Sequence, residues 1–285
     1  MKVIKLILTS LILSIGLVSC TSDSEDAVLE VDPMASYQLN ATMEGNGHII
    51  ELYSDNENFI TGYNQIMVRI KDQATGTYFS DPKISWIPMM HMKGMAHSSP
   101  TSALVLNGDN NTIARGYVVF QMPGNAEEFW EFTFNYELAG SEFEITKTID
   151  VLAPKDKRQR VATFMGADEN KYVLAMVAPQ TPKVAVNDFK ALLFKMENTT
   201  SFSIVEDYKV VLDPRMPSMG NHGSPNNEDL MYDSATKSYL GKLSLTMTGY
   251  WKINMVLFNE GDEPIKGEVI TDEQEASSLY FEVEF

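Results

Sequence analysis

Trp130-Glu-Phe-Thr-Phe-Asn-Tyr136 puts an aromatic side chain at every second position, with polar residues between. Successive side chains of a β-strand point to opposite faces, so this period marks a strand with one face in a core. Trp251-Lys-Ile-Asn-Met-Val-Leu257 carries Trp251, Ile253, Met255 and Leu257 at the same period, and residues 142–152 and 278–285 alternate in the same way. No stretch sustains the period of an amphipathic helix. The pattern predicts an all-β chain of many short strands, separated by clusters of Gly, Asn, Asp and Pro. Trp130 and Trp251 are expected as core residues between packed sheets.

The strands fall into two series. Tyr63-Asn-Gln-Ile-Met-Val-Arg-Ile-Lys-Asp72 lies over Asp188-Phe-Lys-Ala-Leu-Leu-Phe-Lys-Met-Glu197, and His97-Ser-Ser-Pro100 over His222-Gly-Ser-Pro225. Gly116-Tyr-Val-Val-Phe-Gln-Met122 matches Gly241-Lys-Leu-Ser-Leu-Thr-Met247, and residues 130–136 match 251–257. Such a repeat, in a chain of 285 residues, predicts two domains at ~100–200 residues each. The joint is expected near Pro154-Lys-Asp-Lys-Arg-Gln-Arg160. That gives a first β-sandwich over 37–154 and a second over 155–285, both antiparallel and immunoglobulin-like in topology.

The N-terminus carries an address. Met1-Lys-Val-Ile-Lys5 is basic, residues 6–18 form an apolar run, and small residues lead to Cys20, the one cysteine of the chain. This is the pattern of a signal peptide, and the run falls short of the ~18 residues that span a bilayer. Leu17-Val-Ser-Cys20 resembles the lipobox of bacterial lipoproteins. The resemblance implies removal of residues 1–19 by cleavage before Cys20, lipidation of Cys20, and a membrane partner. It places the chain in the bacterial cell envelope, at the outer membrane, on its periplasmic or surface face. Residues 20–36 read as a lipid-anchored flexible tether, acidic at Thr21-Ser-Asp-Ser-Glu-Asp26, which also resembles a surface-export signal. The whole chain carries a formal charge of −17, and loss of Lys2 and Lys5 would deepen it. A surface of that sign repels nucleic acid, which is excluded as a partner.

Three of the four histidines and many of the 17 methionines gather in two segments. They are Trp86-Ile-Pro-Met-Met-His-Met-Lys-Gly-Met-Ala-His97 and Asp213-Pro-Arg-Met-Pro-Ser-Met-Gly-Asn-His222. Methionine is a common filler of irregular cores. The Pro, Lys and Gly around Met89, Met90, Met92 and Met95 instead give the composition of a loop. Thioether and neutral imidazole are uncharged, polarizable donors that favour a soft monovalent metal, so copper, as Cu(I), is the expected cofactor. Met92, Met95 and His97 form one candidate ligand set and Met216, Met219 and His222 the other. Met89, Met90 and His91 are possible additions to the first set. Gly94 and Gly220 supply backbone freedom between the ligands. Trp86 is expected at the end of a buried strand and His48 on the surface or in a turn.

Met216-Pro-Ser-Met-Gly-Asn-His222 resembles the Met-Pro-x-Met-x-x-His signature of YtkA-like domains, and FixH-like domains are similar. The likeness covers most of the second series. The first departs from it: Met92-Lys-Gly-Met-Ala-His97 is one residue shorter before the histidine and lacks the proline. These families are small extracytoplasmic β-sandwiches associated with copper handling and, for FixH-like members, with assembly of a copper-dependent oxidase. The resemblance implies Met216, Met219 and His222 as ligands, and envelope proteins that donate or accept copper as partners. A thioether has no proton to lose near neutral pH, whereas an imidazole ligand competes with protons below ~6.5. No Gly-x-Ser-x-Gly, His-Glu-x-x-His, phosphate loop or second cysteine is present, so no enzymatic activity is expected. The competing expectation is a binding or adhesion lipoprotein whose methionine-rich loops contact a protein or glycan. Met→Leu substitution separates the two, since it keeps bulk and removes the donor.

Overall fold

The computed structural model describes residues 32–285. The expected signal peptide, Cys20 and the expected tether up to residue 31 lie outside the described residues. In the first half the strands are β1 (Gln38–Gly45), β2 (His48–Ser54), β3 (Phe59–Ile60), β4 (Gly62–Asp72), β5 (Lys83–Met92), β6 (Met95–Ser98), β7 (Val105–Asn107), β8 (Asn110–Phe120), β9 (Phe129–Leu138), β10 (Ser141–Ile149) and β11 (Val151–Leu152). In the second they are β12 (Val161–Met165), β13 (Lys171–Ala178), β14 (Ala185–Asn198), β15 (Ser201–Ile204), β16 (Lys209–Met216), β17 (His222–Gly223), β18 (Glu228–Asp233), β19 (Ser238–Leu245), β20 (Tyr250–Phe258), β21 (Pro264–Lys266) and β22 (Leu279–Glu284). The chain is all-β, as its alternating pattern predicts. Among the described residues the one helical element is a single 3-10 turn at Pro217–Met219.

The first half forms two antiparallel sheets, in the orders β1-β2-β4-β8-β7 and β10-β9-β5-β6, and a short parallel pair of β11 with β3. Between them lies a core of Ile50, Leu52, Ile66, Val68, Val118 and Phe120 from one sheet and Trp86, Met90, Trp130, Phe132 and Phe134 from the other. The burial of β9 alternates without a break from Phe129 to Leu138. In the second half the order β12-β13-β14-β19-β18 is followed by β16 and β20, with β17 on β16 and β22 on β20. The same sequence of neighbours is therefore used twice. The difference is that β18 also pairs with β16, at Val210 opposite Leu230, which joins the second set into one eleven-stranded sheet. That sheet folds over a single core containing Leu174, Phe189, Leu193, Met216, Tyr239, Trp251, Ile253 and Phe281.

A third apolar cluster lies where the halves meet: Val119 on β8 packs with Val161, Val173, Ala175, Leu192 and Phe194. Residues 34–285 accordingly form one compact unit. The charged run at 154–160 lies between β11 and β12. The predicted tether overlaps this unit at its end, because Met34 is buried against Tyr53, Met67 and Ile113.

Each core tryptophan spends its indole N–H on the other layer of its sandwich. Trp130 Nε1 donates to the Met122 carbonyl at 2.9 Å, just past β8, and Trp251 Nε1 donates to the Met247 carbonyl at 3.0 Å, just past β19. A buried indole that loses its partner, or a cavity in its place, is costly. Trp130→Ala is expected to destabilise the fold by about 3–5 kcal/mol, read from urea unfolding.

On the outer face of the first sheet, the buried Glu51 carboxylate accepts hydrogen bonds from Tyr53 Oη and Tyr78 Oη, each at 2.8 Å, and from Lys71 Nζ at 2.5 Å. Burial pushes the Glu51 pKa up, but the bonds from Lys71, Tyr53 and Tyr78 outweigh it and hold the carboxyl below its ordinary value. A carboxyl with a depressed native pKa stabilises the fold above its unfolded value and loses that contribution as pH falls through the native one. Glu51→Gln should cost about 2 kcal/mol at neutral pH. The gap to the parent should narrow below about pH 4, as followed by chemical unfolding at several pH values.

Candidate metal centre

The segment read as a loop from its Pro and Gly is a β-hairpin. β5 runs on past Pro88 to Met92, and β6 returns from Met95 after a two-residue turn, Lys93-Gly94, with Gly94 at φ 86°. Proline is tolerated there because β6 pairs only with residues 89–92, leaving Pro88 with β9 as its one neighbour strand. Met92 stands opposite Met95, Met90 opposite His97, His91 opposite Ala96 and Met89 opposite Ser98. Cross-strand partners share a face, and positions two apart along a strand share it too. Met90, Met92, Met95 and His97 therefore occupy one face, in two rows. Met89 and His91 occupy the other, where His91 stacks on Phe129 and lies 3.3 Å from the Glu131 carboxylate.

Along the shared face the donors run from core to solvent. Met90 is wholly buried, His97 is 8% exposed, Met92 packs against the edge of the core, and Met95 at the turn is 54% exposed. The ring of His97 stands edge-on to Trp130, with centroids 5.9 Å apart. His97 Nδ1 lies 2.8 Å from the Ser98 carbonyl oxygen. A carbonyl can only accept, so Nδ1 carries the proton and the lone pair of the neutral ring sits on Nε2. Ser98 is fixed in turn, through its N–H to the Thr199 carbonyl at 2.7 Å and its hydroxyl to the Pro88 carbonyl at 2.7 Å.

The second motif is arranged differently. β16 ends at Met216, opposite His222, and the connection runs through the 3-10 turn, Gly220 at φ 65° and Asn221 at φ 58°. Met216 is 3% exposed and packs in the core, within reach of Gly249. Met219 is 58% exposed and His222 is exposed as well. The expected set of Met216, Met219 and His222 is thus split between core and surface. Beside the turn, a cleft of about 300 Å³ is lined by Arg215, Gly220, Asn221, Thr271, Asp272 and Glu275, and Arg215 is held by Asp213.

Strand register also changes the equivalence between the motifs. Met90 lies opposite both Trp130 and His97. Met216 lies opposite His222 and next to Arg215, which pairs with Lys252 beside Trp251. The counterpart of Met216 is therefore Met90, not Met92. The signal for this is in the sequence as Pro88-x-Met90 and Pro214-x-Met216, two buried prolines each followed by a buried methionine. His48 opens β2 at the opposite end of β9, its ring among Phe79, Tyr136 and Phe143 and its Nδ1 3.0 Å from Tyr136 Oη. Trp86 lies within β5, stacked on Phe132.

Among the described residues no group of three or more His, Cys, Asp and Glu side chains is placed to hold a metal ion. Compared with known proteins, the chain matches no family model and no curated sequence.

Peroxide converts an accessible thioether to its sulfoxide, transferring one oxygen and leaving water. Dilute hydrogen peroxide is expected to oxidise Met95 and Met219 first and Met90 and Met216 last, as followed by peptide mass spectrometry.

Proposed function

We propose that this chain is a copper-binding lipoprotein of the bacterial envelope, anchored through Cys20, that takes up Cu(I) as cargo for buffering or handover. The observation that carries the reading is the shared face of the first hairpin. Register puts Met92, Met95 and His97 side by side there, with Met90 behind them. Directly opposed Cβ atoms on such a face are ~5 Å apart, within the span of flexible methionine side chains converging on one ion. Nε2 of His97 offers a lone pair, while Met95 at the tip offers sulfur to solvent. A net charge of −17 raises the local concentration of cations around the chain. The likeness of residues 216–222 to YtkA-like and FixH-like domains fits the same reading. So does the reuse of one strand order, which supports two tandem immunoglobulin-like domains over 37–154 and 155–285.

The second reading, a contact surface for a protein or glycan, is favoured by one feature. Met95 and Met219 both sit on tips and are more than half exposed.

The deciding measurement is an anaerobic competition titration of the full chain with Cu(I) and a chromophoric chelator, repeated on Met92→Leu/Met95→Leu. The parent is expected to take up Cu(I), and the double variant to bind at least about tenfold more weakly. Equal uptake by both would favour the contact surface, and no uptake by the folded parent would remove the metal reading.

A further inference from the structure

We propose that Met122 and Met247 are additional thioether ligands, one in each half of the chain, an inference that rests on the copper reading above. Neither belongs to a methionine-histidine motif. Each follows the end of a strand by two residues, Met122 after β8 at Phe120 and Met247 after β19 at Leu245. Each gives its carbonyl to a core indole, at 2.9 and 3.0 Å. In the first half, Met90 lies opposite that indole and His97 stands edge-on to it. Met122 and Met92 pack as partly buried side chains on the core that contains Met90. Met247 packs in the same way on the core that contains Met216. In the first half a remote segment thus reaches the end of the sandwich where the hairpin brings sulfur and imidazole, and in the second Met247 packs on the core that holds Met216.

Core filling does not account for the coincidence. Residues 116–122 and 241–247 are identical at the glycine and the methionine alone. The glycines have a steric reason, since a Cβ would lie 2.7 Å from the Trp86 ring at Gly116 and 2.5 Å from the Glu228 carbonyl oxygen at Gly241. The methionines have none of that kind. A half-buried site at a strand end accepts Leu or Ile of similar volume, and every intervening residue has been exchanged. What the two positions retain is the sulfur. Recruiting Met122 beside Met92, Met95 and His97 would complete a four-donor set. Met247 beside Met216 would give the second half a pair of sulfurs independent of the exposed Met219.

The test uses the full chain under anaerobic conditions. Parent, Met122→Leu, Met247→Leu and the double variant are titrated with Cu(I) against a chromophoric chelator, and thermal unfolding monitors the fold. Each single variant is expected to weaken one class of site by about tenfold or more. Parent uptake with unchanged affinity in all three variants overturns the inference and leaves the copper reading standing. No uptake by the folded parent overturns both. A measurement on the parent alone guards against a variant that does not fold. Silver(I), a soft monovalent ion, is added before peroxide and each sulfoxide is quantified by peptide mass spectrometry. Slower oxidation of Met122 and Met247 supports their role. Protection of Met92 and Met95 with none at Met122 and Met247 overturns it.

Discussion

Two indole hydrogen bonds organise this molecule. A tryptophan side chain buried between sheets carries one donor, and in an apolar core that donor must find an acceptor or cost free energy comparable to a lost hydrogen bond. Trp130 and Trp251 each find theirs in the opposing layer, at the carbonyl of the residue leaving β8 or β19. The bond therefore joins two layers that share no ladder at that point, and it fixes the path of the connection into the next strand. It also fixes which end of each sandwich is closed. Because Met90 faces Trp130 across β5 and β9, the same end receives the β5–β6 hairpin. Site and fold share one constraint.

From equal anchors the two hairpins diverge through turn length. Lys93-Gly94 is the shortest connection that reverses a strand, and Gly94 takes the positive φ that such a turn needs. With so short a turn Met92 and Met95 remain in the ladder, and every donor inherits the strict alternation of strand faces. In the second hairpin Pro217 cannot continue the ladder because it has no N–H. The chain instead makes a 3-10 turn and two left-handed residues before His222. Met219 is carried off the sheet, while Met216, still in register, points into the core. One inserted stretch thus turns a compact row of donors into a buried sulfur and an exposed tip.

The legible part of the fold was the part with one wet and one dry face. At 130–136 and 251–257 alternation alone marked the strands, and the tryptophans at their heads were rightly read as core. Met89–Met92 was misread as loop because Pro88 and Gly94 are turn formers by composition. A proline with one neighbour strand breaks nothing, and a single glycine was enough for the whole turn. Met92, Met95 and His97 fall on one face because a two-residue turn keeps all three in the ladder, a register that the loop reading did not contain. Pairing Met92 with Met216 failed because it was counted back from the histidine, across turns of unequal length. Counting from Pro88 and Pro214, inside the strands, gives the register observed. The approach of Met122 to Trp130 had no local signal, since it depends on how one sheet lies over the other.

Precision at the first hairpin comes from outside it. A row of flexible methionines on a free hairpin would be a poorly defined site, because each sulfur sits at the end of three rotatable bonds. Here the imidazole supplies the fixed point. His97 is oriented by the Ser98 carbonyl, and Ser98 is itself bound to Thr199 in the turn between β14 and β15. That turn belongs to the other half of the chain, which packs on the first through Val119, Leu192 and Phe194. The tautomer of one ring is thus set by the carbonyl of the residue whose N–H ties the halves together. A hairpin tip can stay open to solvent, with Met95 exposed at its end, while the imidazole of His97 keeps its direction. On the copper reading proposed above, that division would suit both collection of an ion from solution and its release, since the outer thioethers could let go without disturbing the imidazole.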